Sequence, residues 1–339
     1  MNGFVTFLAA VLAVPLLGWL VQLIGTGLDR WRYPPPGRLV QVGGHKLHFY
    51  QTGTDQAADL PLVLLEAGIG ASSLSWRFVQ NEIEPLVRVA SYDRAGLGWS
   101  TESTTPRHTR QLVHELLTLL DNAGIREPVV LVGHSFGGMT SLAAACLHPE
   151  RFAGLVLVDP LHPAEWTLPD GQRKRMLEYG AFLAERGVLL ARLGVVRSAL
   201  RLLMMGAGTS ANLLNRIASG DGADTLERLV GEVRKLPREL WPQVRAQWTQ
   251  EKTFASLANH LRQLPLSSVQ AANAMRPLEL PLVVISAGDL EQVRLDAHRN
   301  LAQLSPQGQH IIAHRAGHWI QVDEPDVVVM AIRRVLNLT

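Results

Sequence analysis

The segment Val129-Val-Leu-Val-Gly133-His134-Ser135-Phe136-Gly137-Gly138 constrains this chain more than any other. Its apolar run reads as a buried strand, and the small, apolar residues from Phe136 to Leu147 read as a helix packed on it. Between them, Gly-His-Ser-Phe-Gly makes a strand-to-helix corner so tight that its glycines are sterically required. The corner pushes the Ser135 hydroxyl out of the sheet and aims the N-terminus of the next helix at it, a setting that favours developing negative charge.

Strand and helix patterns alternate around this corner. Leu39 to Val42 and Lys46 to Gln51 flank a Gly43-Gly44 hairpin signal. Leu62 to Leu65, Val87 to Tyr92, Val129 to Val132 and Leu155 to Val158 are the next strands, with Leu74 to Leu86 and Thr109 to Ala123 as helices between them. From Leu161 to about Arg276 only helical periodicity is found, with breaks expected at Gly180, Gly187, Gly206, Gly208 and Gly220. Leu282 to Ile285 and His310 to Ala313 restore the sheet, and Pro325 to Leu336 closes the chain as a helix. The expected fold is therefore α/β: a mostly parallel, doubly wound sheet, with a helical cap between its sixth and seventh strands. The expected divisions are core at 39–160, cap at 161–276 and core again at 277–339.

No charged side chain lies between Gly3 and Ile24, and about 20 apolar residues suffice to cross a bilayer. Residues 1–28 are accordingly expected to be a transmembrane anchor, with Trp19, Trp31 and Tyr33 near the interface. Residues 29–38, which include Pro34-Pro-Pro-Gly37, are expected to be a linker. Arg30, Arg32 and Arg38 follow the span and none precedes it, which favours a cytoplasmic catalytic domain. In the cap, Arg186, Arg192, Arg197 and Arg201 are expected to face water or lipid head groups from an amphipathic lid.

Composition excludes other classes. A hydrophobic content of 47% with 18% charge rules out a disordered chain, and a net charge of +2, with no basic run interleaved with aromatics, does not suggest nucleic acid. Cys146 is the single cysteine and sits in an apolar helical stretch, as a buried filler would. The glycines after Asp93-Arg94 are followed by the polar loop Trp99 to Pro106 rather than by the helix that a dinucleotide site requires. No cofactor and no metal is expected.

A serine needs a base. His318, in Ala316-Gly317-His318-Trp319 after the last strand, lies where catalytic groups collect at the carboxyl edge of a parallel sheet. The base needs a carboxylate, for which Asp289 is the first choice, with Glu291 and Asp159 as alternatives. The Phe136 amide, with that of Ile69 in Glu66-Ala67-Gly68-Ile69-Gly70, is expected to form the oxyanion hole.

Gly68-Ile-Gly70, Ser91-Tyr-Asp-Arg-Ala-Gly-Leu-Gly-Trp-Ser100, Gly133-His-Ser-Phe-Gly-Gly138, Leu155-Val-Leu-Val-Asp-Pro160 and Gly317-His318 together resemble the capped bacterial α/β-hydrolases, over about Val40 to Leu338. That resemblance implies a triad of Ser135, Asp289 and His318, and a structural role for the Asp93-Arg94 segment. Two departures stand out: Ala67-Gly68 replaces the His-Gly of many relatives, and the usual spacing from Gly288 would fall on Glu291. The expected function is hydrolysis of an ester, thioester or related acyl bond in a small, apolar substrate. Alternatives are perhydrolysis or acyl transfer on the same triad, or a non-catalytic, membrane-tethered binding protein.

Overall fold

The computed structural model describes residues 2–53, 59–204 and 233–338, with side chains described for 13–53, 59–202 and 233–338. Eight strands form one sheet in the order β1-β2-β4-β3-β5-β6-β7-β8. They are β1 (Arg38–Val42), β2 (His45–Thr52), β3 (Val63–Glu66), β4 (Val89–Tyr92), β5 (Val129–His134), β6 (Phe152–Val158), β7 (Leu282–Ala287) and β8 (Gly308–Ala313). The β1–β2 and β2–β4 pairs are antiparallel, and all later pairs are parallel.

Strands β3, β4, β5 and β7 are buried at every position because both faces of the sheet are covered, and most of their residues are apolar. Their side chains alternate strictly. Leu64, Leu131, Leu155, Leu157, Leu282 and Val284 join one core with α3 (Thr109–Ala123), α4 (Phe136–Leu147) and α10 (Gln292–Ala302). Val63, Leu65, Val130, Val132, Val156, Val158, Val283 and Ile285 join the other with α2 (Arg77–Ile83) and α12 (Pro325–Val335). Each such fully buried side chain contributes roughly 1.5–3 kcal/mol, so the pattern fixes the strand faces.

Between β6 and β7 the described helices are α5 (Ala164–Thr167), α6 (Gly171–Arg192), α7 (Val195–Met204), α8 (Trp241–Trp248) and α9 (Glu251–Ala274). Gly180 and Gly187 do not break α6 as expected; both lie inside it. A Cβ on Gly187 would meet the Phe254 ring at 2.4 Å, so this glycine admits an aromatic side chain rather than ending a helix. The expected breaks at Gly206, Gly208 and Gly220 lie outside the described residues.

Two compact units emerge: Met1–Pro34 with Phe182–Ala258, and Pro35–Ala181 with Asn259–Thr339. In the first, α1 (Asn2–Arg32) continues through residues expected to be linker. Among the described residues no helix is long and apolar enough to cross a membrane, which overturns the single-pass anchor and the localisation drawn from it. Polar groups on α1 give the physical reason. Gln22 is buried, its amide donating to Thr249 O at 2.8 Å. Arg197 on α7 donates to Gln22 Oε1 (2.9 Å), Asp29 Oδ2 (2.5 Å), Thr26 Oγ1 (3.1 Å) and Thr249 Oγ1 (3.1 Å). Arg197 is thus a clamp on α1, correcting its expected place in water or at head groups.

Candidate active site

Ser135 lies between β5 and α4, as the residue that caps the helix, with φ +55° and ψ −120°, a conformation rare for a residue bearing a Cβ. Packing holds it there. A Cβ on Gly133 would meet Ser141 Oγ at 2.4 Å, and one on Gly137 would meet Ala67 O at 2.4 Å. Ser135 N–H also donates to Val158 O at 3.0 Å, tying the corner to β6.

His318 lies in the segment between β8 and the short helix α11 (Ile320–Asp323). Its Nε2 is 3.0 Å from Ser135 Oγ and its Nδ1 is 2.5 Å from Asp159 Oδ2. Because a carboxylate can only accept, the neutral ring carries its proton on Nδ1 and leaves Nε2 to receive the serine proton. Burial pushes the Asp159 carboxyl upward, but the His318 hydrogen bond and the charges of His318, His298 and Arg294 outweigh it and hold the group below the usual carboxylate range.

The acid facing His318 is therefore Asp159, which corrects the expected Asp289. Strand register explains the difference. His134 is level with Val158, so Ser135 and Asp159 leave adjacent parallel strands side by side. Asp159 N–H donates to Ile285 O at 2.7 Å, and a φ of +38° turns the residue at the strand end. On β7 the residue after Ile285 is Ser286, so Asp289 comes three positions later. Gly288 N–H is bonded to Ala316 O, and Asp289 beyond it is exposed, as is Glu291 at the start of α10. The available signal was an acid directly after a buried strand, as Ser135 directly follows β5.

Two histidines support this line. His134 Nε2 donates to the His318 carbonyl at 2.8 Å, and its ring lies 4.7 Å from that of His318 and 5.6 Å from that of Trp319. Burial, with the nearby His318 charge, pushes His134 down to about 3, so it is neutral at ordinary pH. His298, unremarked in the sequence, bonds Ser286 Oγ at 2.8 Å and Pro160 O at 2.9 Å, with its Nδ1 4.0 Å from Asp159 Oδ1. Burial lowers it to about 4.

Ile69 sits in the turn after β3, and Phe136 is the first residue of α4. Among the described residues neither N–H has a backbone acceptor. Helix N-termini leave such donors unpaired, and they suit an anion. Cys146 is buried, its thiol pushed up by burial, and the described residues contain no cluster of metal-ligating type.

A sheet of this topology with a serine corner and a histidine–carboxylate pair at its carboxyl edge defines the α/β-hydrolase class. The α/β hydrolase fold family profile matches residues 61–325, and the chain belongs to that family. Among its relatives, an uncharacterized protein, YqjL, of Bacillus subtilis is 25% identical over 276 residues, covering 80% of this chain and 81% of its own. A putative carbamate hydrolase, RutD, of a Caulobacter species is 25% identical over 304 residues, covering 85% and 95%. Two solved structures share the fold: a thermophilic esterase of Thermogutta terrifontis (TM-score 0.61, 21% identity, 88% and 97% covered) and an enol-lactonase of Burkholderia xenovorans (0.59, 18%, 88% and 100%). Family membership supports hydrolase chemistry in general.

Proposed function

We propose that this protein is a serine hydrolase that cleaves an ester, thioester or related acyl bond through an acyl-enzyme. The observation that carries this reading is the continuous line from Ser135 Oγ through the His318 ring to Asp159, at 3.0 and 2.5 Å. Ser135 attacks the acyl carbon while His318 Nε2 takes its proton, and Asp159 stabilises the imidazolium. The Ile69 and Phe136 amides stabilise the oxyanion. His318 then protonates the leaving group, and a water activated by the same nitrogen frees the acid and restores Ser135. Two of the fold neighbours, an esterase and an enol-lactonase, agree with acyl chemistry.

A fluorophosphonate probe tests the reading. Wild type is expected to be labelled on Ser135, and Ser135→Ala to be unlabelled. Folded wild type that stays unlabelled beside a reactive control hydrolase overturns it.

A further inference from the structure

Arg94 follows β4 and is 4% exposed. An isolated buried guanidinium is costly, so its partners are informative. Nη1 donates to Glu66 Oε1 at 3.2 Å and to Ala67 O at 2.8 Å, and Nη2 donates to Gly68 O at 2.5 Å. Its guanidinium carbon lies 5.3 Å from the centroid of the Phe136 ring. Glu66, the last residue of β3, accepts in turn from Thr140 Oγ1 at 2.8 Å and Ser141 Oγ at 3.2 Å on α4. Burial raises the Glu66 carboxyl, and the Arg94 charge opposes that rise. One buried ion pair therefore touches both segments that carry the unpaired amides, the loop bearing Ile69 and the helix begun by Phe136.

Peptide geometry gives the contact a consequence. The Gly68 carbonyl and the Ile69 N–H belong to one planar trans peptide and point in opposite directions. Anchoring that oxygen on Arg94 fixes where the N–H aims, and a cation on the carbonyl end makes the amide a stronger donor. A simple ion pair to Glu66 would not need this; the planar fork of arginine spans the carboxylate and both carbonyls at once.

We propose that Arg94 is a positioning residue for the oxyanion hole. Through the Ala67 and Gly68 carbonyls it sets the direction and donor strength of the Ile69 N–H, and Glu66 locks that setting to the helix that presents Phe136. The proposal rests on the serine-hydrolase reading above.

Arg94→Met and Arg94→Lys in the full-length chain test it, with p-nitrophenyl acetate as substrate, phenylboronic acid as a tetrahedral analogue and a fluorophosphonate as covalent probe. Loss of a whole oxyanion donor costs about 10²–10³-fold in kcat, so a misdirected one is expected to cost about 10–100-fold. KM should stay within about threefold and boronate affinity should fall along with kcat, while the pH profile, set by Ser135, His318 and Asp159, keeps its position. Arg94→Lys should lie between wild type and Arg94→Met, since it keeps the charge without the fork. If Arg94→Met does not fold, Arg94→Lys decides. A folded variant with kcat and boronate affinity within about twofold of wild type overturns the proposal, as does one that loses only KM or only melting temperature. Failure of wild type to react with the fluorophosphonate would instead count against the underlying reading; a labelled wild type with an equally fast Arg94→Lys counts against the role of Arg94 alone.

Discussion

Asp159 accepts the Nδ1–H of His318 at 2.5 Å although 159 positions of chain separate them. The carboxylate is almost wholly buried while the histidine side chain is 46% exposed, so the carboxylate is held in the interior and part of the imidazole stays open to solvent. Asp159→Asn keeps the shape but removes the charge and permits the wrong ring tautomer. It is expected to lower kcat for p-nitrophenyl acetate by roughly 10³–10⁴-fold. Asp289→Asn is expected to stay within about twofold of wild type, and the reverse pattern would refute the assignment.

The buried histidines make stability depend on pH. His134 and His298 have folded values lowered to about 3 and about 4, against about 6.5 in an unfolded chain. Between those limits the unfolded chain binds more protons, so stability falls as pH drops from about 6.5 toward 4. Asp159, held low, adds a further loss only as pH falls below about 4. Melting temperature measured from pH 7 to 4 should decline over this range. In His298→Gln the slope should be shallower even where the whole curve shifts down; an unchanged slope would remove His298 from the account.

Gly137 has a backbone neighbour that cannot retreat. A Cβ there would meet Ala67 O at 2.4 Å and Glu66 O at 2.7 Å, whereas one on Gly44 would meet nothing within 4 Å. Gly137→Ala is expected to cost about 1–3 kcal/mol, the usual range for overpacking, and to reduce fluorophosphonate labelling by displacing the loop that carries Ile69. Gly44→Ala is the control, expected to change stability by less than about 0.5 kcal/mol. Denaturant melts of the two variants check the contrast.

Arg197 clamps α1 to its own unit through Gln22, Thr26 and Asp29, with Thr249 alongside. Arg197→Met strands these polar groups without the cation. Hydrogen exchange over residues 18–32 is expected to quicken by about tenfold or more, reflecting cheaper local opening, while the β5 and β6 amides keep their protection. Unchanged exchange in α1 would show that the clamp carries little of the docking.

The sequence by itself determined the sheet, the corner and the places of Ser135 and His318 at its edge, two of the three residues in the hydrogen-bonded line Ser135–His318–Asp159. Short, continuous apolar runs of strand length and the steric demand for glycine around Ser135 act over a few residues and are readable in order. His318 is likewise placed by the strand that precedes it. Only the tertiary structure decided which carboxylate meets His318, because Asp159, Asp289 and Glu291 all follow central strands, and the difference lies in the register of β5, β6 and β7. It also decided the fate of α1. Its apolar composition is a property of the segment alone, whereas the docking of Gln22 and Asp29 needs Arg197, which stands 175 and 168 positions away from them. Arg94 falls on the same side of that divide: one arginine after a strand carries no sign of the carbonyls it will hold until β3 and β4 lie side by side.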